Sequence, residues 1–133
     1  MTLVLLDTTF LIDAERGDSA LDAAIDDDDD VAIAAVTVAE LLVGVQLADT
    51  KRRRTAREAF ALGVLESVPV LTYDEQIARS HADLLVAVRR AGRPRGAHDL
   101  IIAATARATG RTVVTADAAA FSDLPGVTVR NTR

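Results

Sequence analysis

Residues 3–12 read Leu-Val-Leu-Leu-Asp-Thr-Thr-Phe-Leu-Ile, and the fold follows from them. Leu3–Leu6 is a short, wholly apolar run. A run without alternating polar positions belongs to a strand buried on both faces, as in a parallel sheet covered by helices. Asp7 ends the run, and Thr8–Arg16 reads as a helix with Phe10, Leu11 and Ala14 on one face. An isolated acid at the carboxyl end of such a strand faces the crevice in which open α/β sheets bind their ligands.

The same arrangement recurs along the chain. Ser19 reads as the cap of a second short helix, Ala20–Ile25, and the Asp26–Asp30 run as a solvated loop. Val31–Ala35 is the second strand. Thr37 opens a helix reaching about Leu47, and Lys51–Leu65 follows as another. Ser67–Leu71 is a third strand, which Pro69 confines to an edge or an end. Asp74–Ala91 is a long amphipathic helix with Ile77, Leu84, Leu85 and Val88 as its buried stripe. Gly92–Gly96 is a loop, and His98–Thr109 an apolar helix that Gly110 stops. Thr112–Thr115 is the fourth strand, Asp117–Phe121 a helical turn, and Val127–Arg130 the fifth strand. Strands alternate with helices throughout. The expected architecture is α/β, with a parallel sheet of about four to five strands between helices on both faces. The length, 133 residues, suits one domain spanning 1–133.

Four acids stand at the corresponding places. Asp7 follows the first strand, Glu40 lies in the helix after the second, Asp99 opens the apolar helix, and Asp117 comes just after the fourth strand. Each has an ordinary explanation. Thr37-Val-Ala-Glu40 has the form of a capping box, and Asp7, Asp99 and Asp117 can cap helices or complement their dipoles. Jointly they say more. Four carboxylates delivered to one crevice repel one another unless a cation lies between them. Hard oxygen donors without His or Cys favour Mg²⁺ or Mn²⁺ over zinc, and such a site suits phosphodiester cleavage.

Composition narrows the field. Half the residues are hydrophobic, enough for a real core, and there is no cysteine to make a disulfide, a thiolate site or a thiol nucleophile. No apolar run approaches the ~20 residues that span a membrane. The start, Met-Thr-Leu-Val-Leu-Leu-Asp, lacks the basic segment of a signal peptide, so a cytoplasmic location is expected. A net charge of −5 argues against nucleic acid at first sight. The bases are clustered, however: Lys51, Arg52, Arg53, Arg54 and Arg57 in one group, and Arg89, Arg90, Arg93 and Arg95 in another. A basic rim around a cation-neutralised pocket binds phosphates whatever the total charge. The first group occupies a helix start, where positive charge is unfavourable, which suggests another use for it.

At these residues the chain resembles a known family. LLDTTFLID, TVAELLVG, GAHDLIIAATARATG and VVTADAAAF occur in the order and near the spacing seen in PIN-domain ribonucleases, above all the VapC toxins of bacterial toxin–antitoxin pairs. The resemblance runs from Leu3 to about Val129. It implies a PIN-like three-layer α/β/α fold. It also implies a metal-dependent endoribonuclease acting on structured or single-stranded RNA, whether tRNA, rRNA or mRNA. Asp7, Glu40, Asp99 and Asp117 take the places of the family's four catalytic, metal-binding acids, with Mg²⁺ or Mn²⁺ as the implied cofactor. Thr8 and Thr115 resemble its pocket-lining hydroxyl residues. The implied partners are a cognate VapB-like antitoxin and a second copy of the chain in a homodimer. The chain departs from the pattern at Ala118–Ala120, where relatives often carry polar residues.

Other readings are open to the sequence. A catalytically inactive PIN-fold module that binds RNA or protein would keep the fold without the chemistry. Phosphatases of the haloacid-dehalogenase type need a second Asp two residues after the first, and Thr9 stands there. Receiver domains need a late lysine, and the one lysine, Lys51, is misplaced for it. His98 and His81 read as surface residues. Asp13 reads as a support to Asp7 or as the last polar turn of its helix.

Overall fold

The computed structural model describes residues 1–17 and 23–133. Of the short helix expected at Ala20–Ile25, the cap Ser19 and residues 20–22 lie outside them, and residues 23–25 form no α-helix. The elements are β1 (Leu3–Leu6), α1 (Thr8–Glu15), β2 (Asp30–Ala34), α2 (Ala35–Gln46), α3 (Lys51–Ser67), β3 (Val70–Leu71), α4 (Glu75–Ala91), α5 (Ala97–Thr109), β4 (Thr112–Thr115) and β5 (Val129–Asn131). A 3-10 turn, Ala118–Ala120, precedes β5.

All five strands are parallel, in the order β3-β2-β1-β4-β5. Alternate residues serve opposite faces, because side chains alternate along a strand. Leu5, Ala32, Ala34 and Val113 pack with Ile77, Leu84, Leu100 and Ile102 of α4 and α5. Val4, Leu6, Ile33 and Val114 pack with Phe10, Leu11, Leu41, Val45 and Ala61 of α1, α2 and α3. The three expected layers are therefore present, with a separate core on each side of the sheet.

The strand order locates the site. The chain runs outward from β1 through β2 to β3, returns, and runs outward the other way through β4 to β5. The reversal lies between β1 and β4, and the crevice at such a reversal, beyond the carboxyl ends of the strands, is where this architecture binds ligands. Asp7 ends β1 and Asp117 follows β4.

Local signals explain most boundaries. Gly110 takes a left-handed conformation, φ 65°, and closes α5 as expected. Pro69 lies immediately before the two-residue edge strand β3 and contributes its carbonyl to Ile33 N. Two expectations fail: the third strand shortens from Ser67–Leu71 to Val70–Leu71, because Ser67 still belongs to α3, and a capping box is lost. The Thr37–Glu40 capping box does not form, because α2 starts at Ala35 with Ala34 as an uncapped N-cap residue. Thr37 is instead buried within the helix. β2 runs straight into α2, so the chain never frees an extended residue at 37 to act as a cap.

The Asp26–Asp30 run is less solvated than its composition suggests. The Asp29 side chain is 1% exposed and pairs with Arg130 at 2.8 Å, while Asp30 pairs with Arg111 at 2.9 Å. Arg130 holds the Asp29 carboxyl below its usual range.

Candidate functional site

Asp7 is 2% exposed and is the most enclosed of the four acids. Its carboxylate caps α1 by accepting from Phe10 N at 2.9 Å. It also accepts from Thr115 Oγ1 at 2.7 Å and from Thr9 Oγ1 at 2.9 and 3.0 Å. The capping explanation and the site explanation are thus both correct for this residue. Burial pushes the Asp7 carboxyl above its ordinary value, against the pull of these donors, and the nearby Asp117 adds to the rise.

Two threonines tie the strand ends together. Thr115 Oγ1 donates to Asp7 and accepts from Asp117 N at 2.9 Å. Thr9 Oγ1 lies 3.3 Å from Thr115 Oγ1 and accepts from Ala116 N at 3.2 Å. The first acid and the backbone of the last are therefore one network. Thr115 was legible in the sequence, whereas the role of Thr9 was not, since its partners Thr115 and Ala116 lie more than a hundred residues away. Thr115→Val keeps the side-chain volume and removes the bridge. It is expected to cost about 2 kcal/mol, since it strips a buried charge-assisted bond to Asp7. Unchanged urea unfolding of that variant would show that the network contributes nothing.

Glu40 reaches the site from α2, one-third exposed, and accepts from Thr8 Oγ1 at 2.7 Å. Thr8 is the hydroxyl residue singled out beside Asp7, so α1 orients Glu40 as well as its own cap. Asp99 lies in the first turn of α5, after the N-cap residue Gly96. A side chain at Gly96 would sit 3.0 Å from Asp99 Oδ2, so glycine there leaves the carboxylate its space. Burial pushes the Asp99 carboxyl up first, and Glu40, Asp7 and Asp117 each push it further, with His98 opposing. That set of neighbours places all four acids in one electrostatic field. Asp117 is exposed, at the lip of the crevice.

The spacing of the acids is loose. Among the described residues, the one trio whose ligand atoms lie within 4.8 Å of one another is Asp26, Asp28 and Asp29, outside this crevice. There Arg130 and the amino terminus, 3.4 Å from Asp28, already supply positive charge. In the crevice, hydroxyl groups hold two of the four carboxylates, those of Asp7 and Glu40.

Neighbouring residues divide between the site and its supports. His98 is exposed, as expected, yet faces the site, with Nδ1 3.7 Å from Glu40 Oε2. His81 bonds Tyr73 on the outer surface. Asp13 is buried and takes two bonds of 3.0 Å from Arg133, so it fastens the chain end to α1 and does not touch Asp7. Arg95 donates to the carbonyls of Ala120 at 3.1 Å and Ser122 at 2.8 Å, joining the loop before α5 to the turn after Asp117. Ala118–Ala120 form that turn with backbone bonds, and Phe121 anchors it in the core.

Comparison with known proteins agrees with the geometry. The family model described as PIN domain matches residues 4–127. The chain is 39% identical over 115 residues to Ribonuclease VapC5 of Mycobacterium tuberculosis, covering 84% of this chain and 81% of that one. It is 29% identical over 99 residues to the tRNA(fMet)-specific endonuclease VapC of Salmonella typhimurium, covering 74% and 73%. Its fold is similar to VapBC-5 of M. tuberculosis, a member of the VapBC family of toxin–antitoxin systems. The TM-score is 0.84 and the identity 32%, covering 98% of this chain and 99% of that one.

Proposed function

Because the chain belongs to the PIN-domain family, we propose that it is a metal-dependent endoribonuclease, the toxin of a toxin–antitoxin pair. The observation that carries this reading is the convergence of Asp7, Glu40, Asp99 and Asp117 on the crevice between β1 and β4. The relatives named as ribonucleases and the VapBC complex support the activity and the antitoxin. Among the described residues, no helix is long and apolar enough to cross a membrane.

The donor set fits Mg²⁺ or Mn²⁺. It consists of carboxylates, two of them with raised proton affinity because negative charge there is crowded and partly desolvated. A hard divalent cation relieves that crowding. Asp7, Glu40 and Asp99 would hold it, with Asp117 completing the shell from the exposed side. When bound, the ion supplies charge that stabilises the phosphate as it reacts.

The remaining work belongs to the chain. Thr9, Thr115 and Phe10 N fix both oxygens of Asp7, so its direction is set before substrate arrives. Thr8 fixes Glu40 in the same way. The open, exposed side at Asp117 and His98 admits a polymer from solvent. Cleavage of a structured RNA pool by purified protein tests the proposal. Cutting is expected with Mn²⁺, should stop with chelator, and should be absent from an identically purified Asp99→Asn protein. Equal cutting by both proteins would reveal a contaminant. No cutting by folded, partner-free protein would favour the inactive binding module.

A further inference from the structure

We propose that the groove between α1, α2 and α3 carries the RNA strand away from the carboxylate site, with Arg16 and Arg53 holding its phosphates. The inference rests on the nuclease reading and adds a direction to it. The groove has a volume of about 340 Å³. Its lining includes Thr8 and Glu40, which also belong to the carboxylate site, the bases Arg16, Arg53 and Arg57, the ring of Phe60, and one further acid, Glu15. A strand cut at the acids and lying in this groove meets guanidinium groups as soon as it leaves them.

The arginines differ in their availability. Arg57 donates to the Gly44 carbonyl at 2.8 Å and so braces α3 against α2. Arg53 makes its two bonds to Asp49 from a single nitrogen, Nη1, in an exposed pair. Exposed pairs are weak, and this one engages only Nη1 of the guanidinium. Arg16 ends α1, is exposed, and forms no ion pair among the described residues. Phe60 is half-buried in the groove wall and offers a face on which a base can stack.

Charge complementarity selects the occupant. The protein as a whole is acidic, with a net charge of −5. Its densest basic segment, Lys51–Arg54, is nonetheless the exposed first turn of α3, beside this groove and without an acid in that turn. A polymer with one negative charge per residue suits a row of arginines leading out of a cation-binding site. The placement also accounts for a helix start whose charges oppose its dipole.

The test uses the full chain without partner, carrying Asp7→Asn so that bound RNA stays intact. Binding of a labelled single-stranded RNA is followed by anisotropy over a salt series. Adding R16Q and R53Q together should weaken binding roughly tenfold and shrink the slope of log affinity against log salt by about 1.4, the value for two single-strand phosphate contacts. The R79Q protein, altered near the start of α4 in an exposed pair with Glu75, should match its parent. With Asp7 restored, the groove variant should raise KM for cleavage and leave kcat unchanged. Binding indifferent to Arg16 and Arg53, or an equal loss in the α4 control, overturns the proposal. So does a groove that takes up an acidic peptide while RNA binding stays intact. Wild type that cuts no RNA, with binding still governed by the two arginines, would instead refute the nuclease and leave the groove standing.

Discussion

Asp7→Asn should give a protein that is more stable than wild type in chelator and nearly dead as a nuclease. Asparagine is also a good N-cap residue, so the bond from Phe10 N to position 7 survives. What disappears is a buried negative charge next to other negative charges. The Asp7 carboxyl is raised above its ordinary value of 3.8 by burial, with Asp117 contributing. A carboxyl whose pKa is higher folded than unfolded penalises the folded state once it ionises. The penalty is absent below the unfolded value and grows as pH rises through the folded one. The advantage of the variant in metal-free thermal melts should therefore appear above about pH 4, grow toward neutrality, and vanish in stronger acid. Mn²⁺ should reverse the order, because an ion that binds only the folded wild type stabilises it by mass action. Loss of one carboxylate from the cation shell should reduce cleavage roughly a thousandfold or more. Wild type that melts above the variant in chelator at neutral pH would mean that the crevice is not electrostatically crowded.

Phe121→Ala should have the largest effect on stability. Phe121 is 0% exposed and joins the α4–α5 core with Leu84, Leu100 and Ile102. Removing a buried phenyl ring costs about 4 kcal/mol, from lost transfer energy and the cavity left behind. Against a total stability of about 5–15 kcal/mol, that is enough to bring a small domain close to unfolding. The ring also anchors the turn behind Asp117, which Arg95 grips from the other side through Ala120 and Ser122. Cleavage should thus fall further than the folded fraction does, and Phe121→Leu should recover most of both. Urea unfolding monitored alongside cleavage separates the two effects. A loss of activity that merely tracks the unfolded fraction would show that the turn does not depend on its anchor.

The sheet was readable because its signals are local. The apolar run Leu3–Leu6 and the β-branched run Thr112–Thr115 need no partner to be recognised as strands, and Pro69 pointed to an edge or an end. The acids were readable for a related reason, since each sits at a strand end or in the following helix. The Thr37–Glu40 box misled because residue types alone do not reveal where β2 hands over to α2. Thr9, the contact of Glu40 with Thr8, and the grip of Arg95 were hidden for another reason. They join segments 25 to 107 residues apart, and nothing in the local pattern records such pairings.

The bond from Thr115 to Asp7 spans 108 residues, and β1 waits for β4 to complete its pairing. During synthesis the first half of the chain carries Asp7 and Glu40, but the wall that orients Asp7 and the helix bearing Asp99 are made late. Contacts this distant in sequence close slowly, after local structure has formed. On the proposed reading, a partly made chain lacks the assembled carboxylate site. The assembled site, and any cutting that depends on it, therefore comes only after β4 has paired with β1.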